Sequence, residues 1–130
     1  MDQIKDDKLR SYSVWVPILV TDAERAVPNA AKRLPDNRVT HFWDGKGELV
    51  QAYKTILPTK NAATGEYVKA WDVYLVFAAG VEWKDSPPAP TFWMHQLYSV
   101  DPKNAFDSKG LATEVKRLLK WLWIAVPATR

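Results

Sequence analysis

Residues 11–20 (SYSVWVPILV) are almost continuously apolar and rich in β-branched and aromatic side chains, which is the pattern of a strand covered on both faces by helices. A buried parallel strand is expected there. Thr21 and Glu24 follow at capping-box spacing, where a hydroxyl and a carboxylate can each satisfy an unpaired amide, so a helix is expected to begin. Val27, Ala30, Ala31 and Leu34 recur at helical spacing and give it an apolar face. Pro28 lacks an amide donor and should kink or restart that helix. Pro35, Asp36 and Asn37 end it.

Residues 38–43 alternate, Val39, His41 and Trp43 against Thr40 and Phe42, as a short strand does, and Asp44-Gly45-Lys46-Gly47 is a tight turn. Leu49, Ala52, Tyr53 and Ile56 trace a second helix that Pro58 stops. The polar stretch 59–69 reads as a loop. Residues 70–77 (AWDVYLVF) form the next strand, 78–80 a hairpin turn and 81–83 its return strand. Residues 86–90 (SPPAP) must be extended. Residues 91–100 resume as a strand, and Asp107 or Ser108 caps a last helix. Leu111, Val115, Leu118, Leu119 and Leu122 share one face of that helix, with Lys116, Arg117 and Lys120 on the other. The order predicts an α/β layer sandwich with parallel crossovers and then an antiparallel hairpin.

A chain of 130 residues with 47% hydrophobic and 25% charged residues fits a single globular domain, 1–130, that holds its own core without staples. The absence of Cys removes thiol chemistry, thiol-dependent cofactors, iron–sulfur clusters and Cys-ligated zinc. The formal charge of +3 is mild and its Lys and Arg are dispersed, so no nucleic-acid partner is implied. The charged first ten residues do not read as a secretory signal, and the apolar run 121–126 is too short to span a bilayer. The expectation is a cytoplasmic protein with no transmembrane segment.

Residues 14–80 resemble the later part of a thioredoxin-like domain of the peroxiredoxin and thiol:disulfide-oxidoreductase type. The likeness rests on Val39-Thr40-His41-Phe42-Trp43-Asp44-Gly45-Lys46-Gly47-Glu48-Leu49-Val50-Gln51-Ala52-Tyr53, a strand, an Asp-x-x-Gly turn and a helix ending in Ala-Tyr, and on the strand from Asp72 to Phe77 followed by a Gly turn. It implies a thioredoxin-like layered sandwich, a mixed sheet with helices on both faces, abbreviated at its N-terminal side. The family's Cys-bearing strand and helix have no counterpart before Ser11. Ala70 and Trp71 stand where the family places a cis-Pro. The resemblance therefore implies a redox-inactive domain.

His41 and Asp44 near one strand end, with His95 in another strand, are a candidate ligand set for zinc or iron that could activate a water for ester or lactone hydrolysis. The plainer alternatives are a hydrogen-bonded structural His and an Asp that bonds its own turn. Asp72, in an otherwise apolar strand, is a candidate acid or base, or else the partner of a basic residue such as Arg38. Gly45-Lys46-Gly47 lacks the rest of a phosphate loop. Trp83, Pro87, Pro88, Pro90, Phe92 and Trp93, with Trp43, are candidates to line a groove for an apolar ligand, or to cover the sheet. Trp121 and Trp123 beside Lys116, Arg117 and Lys120 suit a membrane surface, although a docking helix is the simpler account. The leading expectation is a binding or assembly module for an apolar small molecule or a protein partner, with a metal-assisted hydrolase as the alternative. The resemblance implies a central strand between 11–20 and 72–77 that has no counterpart here, so either those strands close directly on one another or a second copy covers their apolar edges, and a homodimer is expected.

Overall fold

The computed structural model describes residues 4–121, the last of them in its backbone alone; Trp123, Leu122 and the side chain of Trp121 lie outside the described residues. The chain divides into two compact units, Met1–Gln51 and Ala52–Arg130. The architecture is mixed α/β, with two separate two-stranded sheets and three α-helices among the described residues.

In the first unit β1 (Ser11–Trp15) runs parallel to β2 (Val39–Trp43), with Ser11 opposite Val39 and Trp15 opposite Trp43. A 3-10 turn (Glu24–Ala26) and α1 (Val27–Ala31) lie on the crossover between them, as parallel strands require a long connection. The expected strand over 11–20 stops at Trp15. Pro17 cannot donate to a ladder, and the Asp22 carboxylate accepts the amides of Ile18 and Leu19, both at 2.8 Å, which turns the chain into a loop. Those two amides also hold the Asp22 carboxyl below the usual range. Leu19 and Val20 are exposed instead of buried.

The capping box does not form either: Ala23 is the N-cap of the 3-10 turn and no side chain caps it. Pro28 occupies the first turn of α1, where a missing amide costs nothing, so the proline restarts the helix. Val27, Ala30 and Ala31 are half-buried, while Leu34 lies beyond the helix and is exposed. Asp36 then pairs with Arg38 at 2.6 Å. The same guanidinium donates to the carbonyls of Ile4 at 2.6 Å and Asp6 at 3.1 Å, tying the segment before β1 to the start of β2. Arg38 hydrogen bonds keep the Asp36 carboxyl well below the carboxylate range.

The β2 turn leads into α2 (Glu48–Ala52), which tightens into a 3-10 turn (Tyr53–Thr55) before Pro58. Asp44 caps it, its two carboxylate oxygens accepting the amides of Glu48 at 3.0 Å and Leu49 at 2.8 Å. Gly47 has φ +67°, and a Cβ on Gly45 would come within 2.8 Å of Trp43 Nε1. Both glycines are required by this turn.

In the second unit β3 (Val73–Val76) and β4 (Phe92–His95) pair antiparallel, Val73 opposite His95 and Val76 opposite Phe92. The expected tight hairpin with a return strand at 81–83 is replaced by a long loop whose residues 81–86 are exposed. Prolines 87, 88 and 90 cannot donate to a ladder. The loop closes only where Thr91 N–H reaches the Val76 carbonyl at 2.8 Å and Ala78 N–H reaches Thr91 Oγ1 at 2.9 Å. The strand expected over 91–100 ends at His95, whose Nδ1 takes the Leu97 amide at 3.1 Å, and Ser99 then turns the chain with φ +64°. Asn61 Oδ1 organises the 59–69 loop by accepting the amides of Ala63 and Thr64.

The last helix, α3 (Ser108–Trp121), is capped as expected, with Asp107 accepting the amides of Lys109 at 3.2 Å and Gly110 at 2.8 Å. The core of this unit consists of Tyr53, Leu57, Ala70, Met94, Leu97 and Val100, joined by the buried polar residues Thr59 and His95. Thr59 is fully buried and its hydroxyl has no hydrogen-bond partner among the described residues.

Candidate functional site

The three side chains expected as a metal set are engaged elsewhere. His95 is 2% exposed; its Nδ1 accepts the Leu97 amide at 3.1 Å, so Nε2 carries the proton and faces the Asp101 carbonyl at 3.0 Å. Both nitrogens are spent on closing the 95–101 turn, and a metal would have to break one bond. His41 Nδ1 accepts Trp15 Nε1–H at 3.2 Å, the two rings lying stacked with centroids 6.1 Å apart. Asp44 spends both oxygens on its helix cap. Among the described residues no three His, Asp or Glu side chains come together in a way that could hold a metal ion. The geometry is that of the plainer alternative at all three positions.

Arg38 pairs with Asp36 at 2.6 Å. The Asp72 side chain is half-buried and its neighbour is Tyr74. Burial raises the Tyr74 hydroxyl, and the Asp72 charge and a hydrogen bond to it add to the effect. That hydroxyl also donates to Gln96 Oε1 at 2.6 Å, and the Tyr74 ring stacks on Phe106 with centroids 4.3 Å apart.

The aromatic and proline residues expected as a groove divide between packing roles. Tyr53 donates to the Pro88 carbonyl at 3.1 Å, and the Trp83 ring meets Tyr53 edge-on at 6.0 Å, so Trp83 and Pro88 cover a core tyrosine. Burial pushes the Tyr53 hydroxyl up to about 12. Trp93 lies against the His95 ring at 5.6 Å, and its carbonyl accepts from Asn104 Nδ2 at 2.9 Å. Phe92 is half-buried at the far end of β4. Trp43 lies over Gly45.

The strongest candidate surface is one that the sequence reading passed over. Along β1 the serines are on the covered face: Ser11, Ser13 and Trp15 are half-buried, while Tyr12 and Val14 point to solvent. On β2 Val39, His41 and Trp43 share the covered side, and Thr40 and Phe42 face out. Register sets Tyr12 beside Thr40 and Val14 beside Phe42, and the Tyr12 and Phe42 rings lie 6.2 Å apart. Tyr12 is 66% and Phe42 49% exposed. On β1 the usual polarity of a half-covered strand is thus inverted at Ser11, Tyr12, Ser13 and Val14, and Phe42 of β2 completes an aromatic patch on the open face. The signal was present in Ser-Tyr-Ser-Val, a strict alternation hidden inside a longer apolar run. Among the described residues no other strand pairs with β1 or β2, so each presents an open edge.

No helix among the described residues is long and apolar enough to cross a membrane. No family model, no curated protein and no solved structure matches this chain, so what it can do has to be read from its own surfaces.

Proposed function

We propose that this chain is a redox-inactive assembly module of thioredoxin-like kind, and that its partner at the first unit is a second copy of itself. The observation that carries the reading is the open face of the β1–β2 pair, with Tyr12, Val14 and Phe42 presented to solvent beside a strand edge that no other strand pairs among the described residues. A parallel pair ordinarily lies inside a larger sheet covered on both faces, and two strands alone are marginal. β1 has no Lys, Arg, Asp or Glu to discourage contact. Joining β1 to the β1 of a second copy about a two-fold axis would give a continuous four-stranded sheet with antiparallel central strands, and would place the two aromatic patches on one surface. The strand–turn–helix from Val39 to Ala52, capped by Asp44, and the lack of Cys support the thioredoxin-like, redox-inactive part of the reading.

The test is mass in solution by light scattering coupled to gel filtration. The parent chain is expected to run at twice its 14.8 kDa mass, and Tyr12→Lys with Phe42→Lys at the mass of one chain with unchanged far-UV circular dichroism. A parent that stays at the mass of one chain on concentration overturns the reading, and so does a double variant that remains dimeric.

A further inference from the structure

We propose that β1 meets the β1 of a second copy in one register, with Ser13 on the two-fold axis and Tyr12 of each copy opposite Val14 of the other; this rests on the pairing of two copies already proposed. In the β1–β2 ladder the Ser11 amide donates to the Arg38 carbonyl at 3.0 Å, and the Trp15 carbonyl accepts the Asp44 amide at 2.8 Å. Backbone groups point to alternate sides along a strand. Ser11, Ser13 and Trp15 therefore aim theirs at β2, while Tyr12 and Val14, exposed in their side chains too, aim theirs at the open edge. The alternation carries on to Arg10 before the strand and Val16 after it. None of these four has a backbone partner elsewhere among the described residues.

This open edge is bracketed. On one side the Lys8 amide is engaged by Asp6 Oδ1 at 2.8 Å, and on the other the Ile18 amide is engaged by Asp22 Oδ2 at 2.8 Å, while Pro17 has no amide to offer. A two-fold axis through an antiparallel join makes one residue its own partner and matches equal steps on either side of it. Centred on Tyr12, the join would set Val16 against the engaged Lys8. Centred on Val14, it would set Arg10 against the engaged Ile18. Centred on Ser13, it sets Arg10 against Val16 and Tyr12 against Val14, so every open amide meets an open carbonyl. The same register lays each tyrosine beside a β-branched side chain, a favourable cross-strand pair, on the face that carries Phe42. A bracket symmetric about its own centre is matched by a copy of itself, which selects a second copy as the occupant over an unrelated strand.

The two Ser13 Cα atoms would then lie about 4.5 Å apart, as a non-hydrogen-bonded pair does, within disulfide reach. Tyr12 and Val14 would each lie on a diagonal from their own copies, at about 7–8 Å. The chain has no cysteine, so a single introduced one reports on this contact alone. The test oxidises dilute full-length Ser13→Cys, Tyr12→Cys and Val14→Cys chains with oxidised glutathione and follows cross-linked dimer on non-reducing gels, with circular dichroism to confirm folding. Ser13→Cys is expected to cross-link at least about tenfold faster than either other variant, and to lose that lead in urea. A second measurement keeps position 13 native: Arg10→Cys chains mixed with Val16→Cys chains should cross-link to each other and not to themselves. A lead for Tyr12→Cys or Val14→Cys, or equal rates for all three, overturns the register while the parent's doubled mass by light scattering keeps the pairing. Failure of the mixed chains to cross-link does the same. A parent at the mass of one chain overturns the pairing and the register together.

Discussion

The two strand pairs are built from segments of nearly equal length but opposite surroundings. β3 and β4 lie in the unit that holds Tyr53, Leu57, Thr59, Ala70, Met94, His95, Leu97 and Val100, all buried, whereas among the described residues of the unit of β1 and β2 only Gly47 and Val50 reach that state. Each pair contains one histidine. His95 is sealed and fully bonded, while His41 is half-buried with one nitrogen engaged. The contrast separates two settings: the antiparallel pair belongs to the unit with the larger buried core, and the parallel pair presents Tyr12, Val14 and Phe42 to solvent.

The sharpest way to break this comparison is to truncate both histidines. His95→Ala should destabilise the chain by about 3–5 kcal/mol, because it leaves a cavity and orphans the Leu97 amide and the Asp101 carbonyl. His41→Ala should cost only about 1 kcal/mol, the worth of one hydrogen bond on a partly solvated face. Urea unfolding measures both, and equal losses would erase the distinction. Next in size is Thr59→Val, which removes a buried hydroxyl without a partner while keeping its shape; a gain of about 1–2 kcal/mol is expected in the same assay.

The smallest effect depends on acidity and belongs to the first unit. Asp36 is held below its ordinary value by Arg38, so the folded state binds that proton less readily than the unfolded state. The stability it contributes is complete above the unfolded carboxylate value of about 4 and is lost as pH falls toward the lower folded value. In Asp36→Asn the acid-side slope of stability against pH should flatten in that window. A slope identical to the parent's would show that the pair contributes nothing.

What could be read from the sequence was local. The strand at Val39–Trp43, its Asp44 turn, the helix that Pro58 stops and the Asp107-capped last helix all follow from neighbouring residues. What escaped was decided by side-chain hydrogen bonds and strand partners that residue type does not reveal. Trp15 and Leu19 look alike in a run of apolar residues, but only the Asp22 carboxylate four residues beyond Ile18 shows where the ladder must stop. The glycine turn at 78–80 looked like a hairpin, yet β3 found its partner beyond the prolines. Arg38, one example of a basic partner for Asp72, is held by Asp36 two residues away. At the candidate site, residue type flagged His41, Asp44 and His95, whereas the hydrogen bonds that commit them were invisible until the turns around them were formed.

The turn between β2 and α2 carries a consequence for how this sequence can change. Gly45 is confined by a neighbour, since any side chain there strikes the Trp43 indole, whereas Gly47 is confined by its own backbone with open space around it. A lesion at Gly45 therefore has a suppressor elsewhere: a smaller residue at position 43 readmits a Cβ. A lesion at Gly47 has none, and is tolerated only by residues such as asparagine that enter the left-handed region at low cost. Two glycines two residues apart thus drift under different rules, the first in concert with an aromatic partner and the second alone.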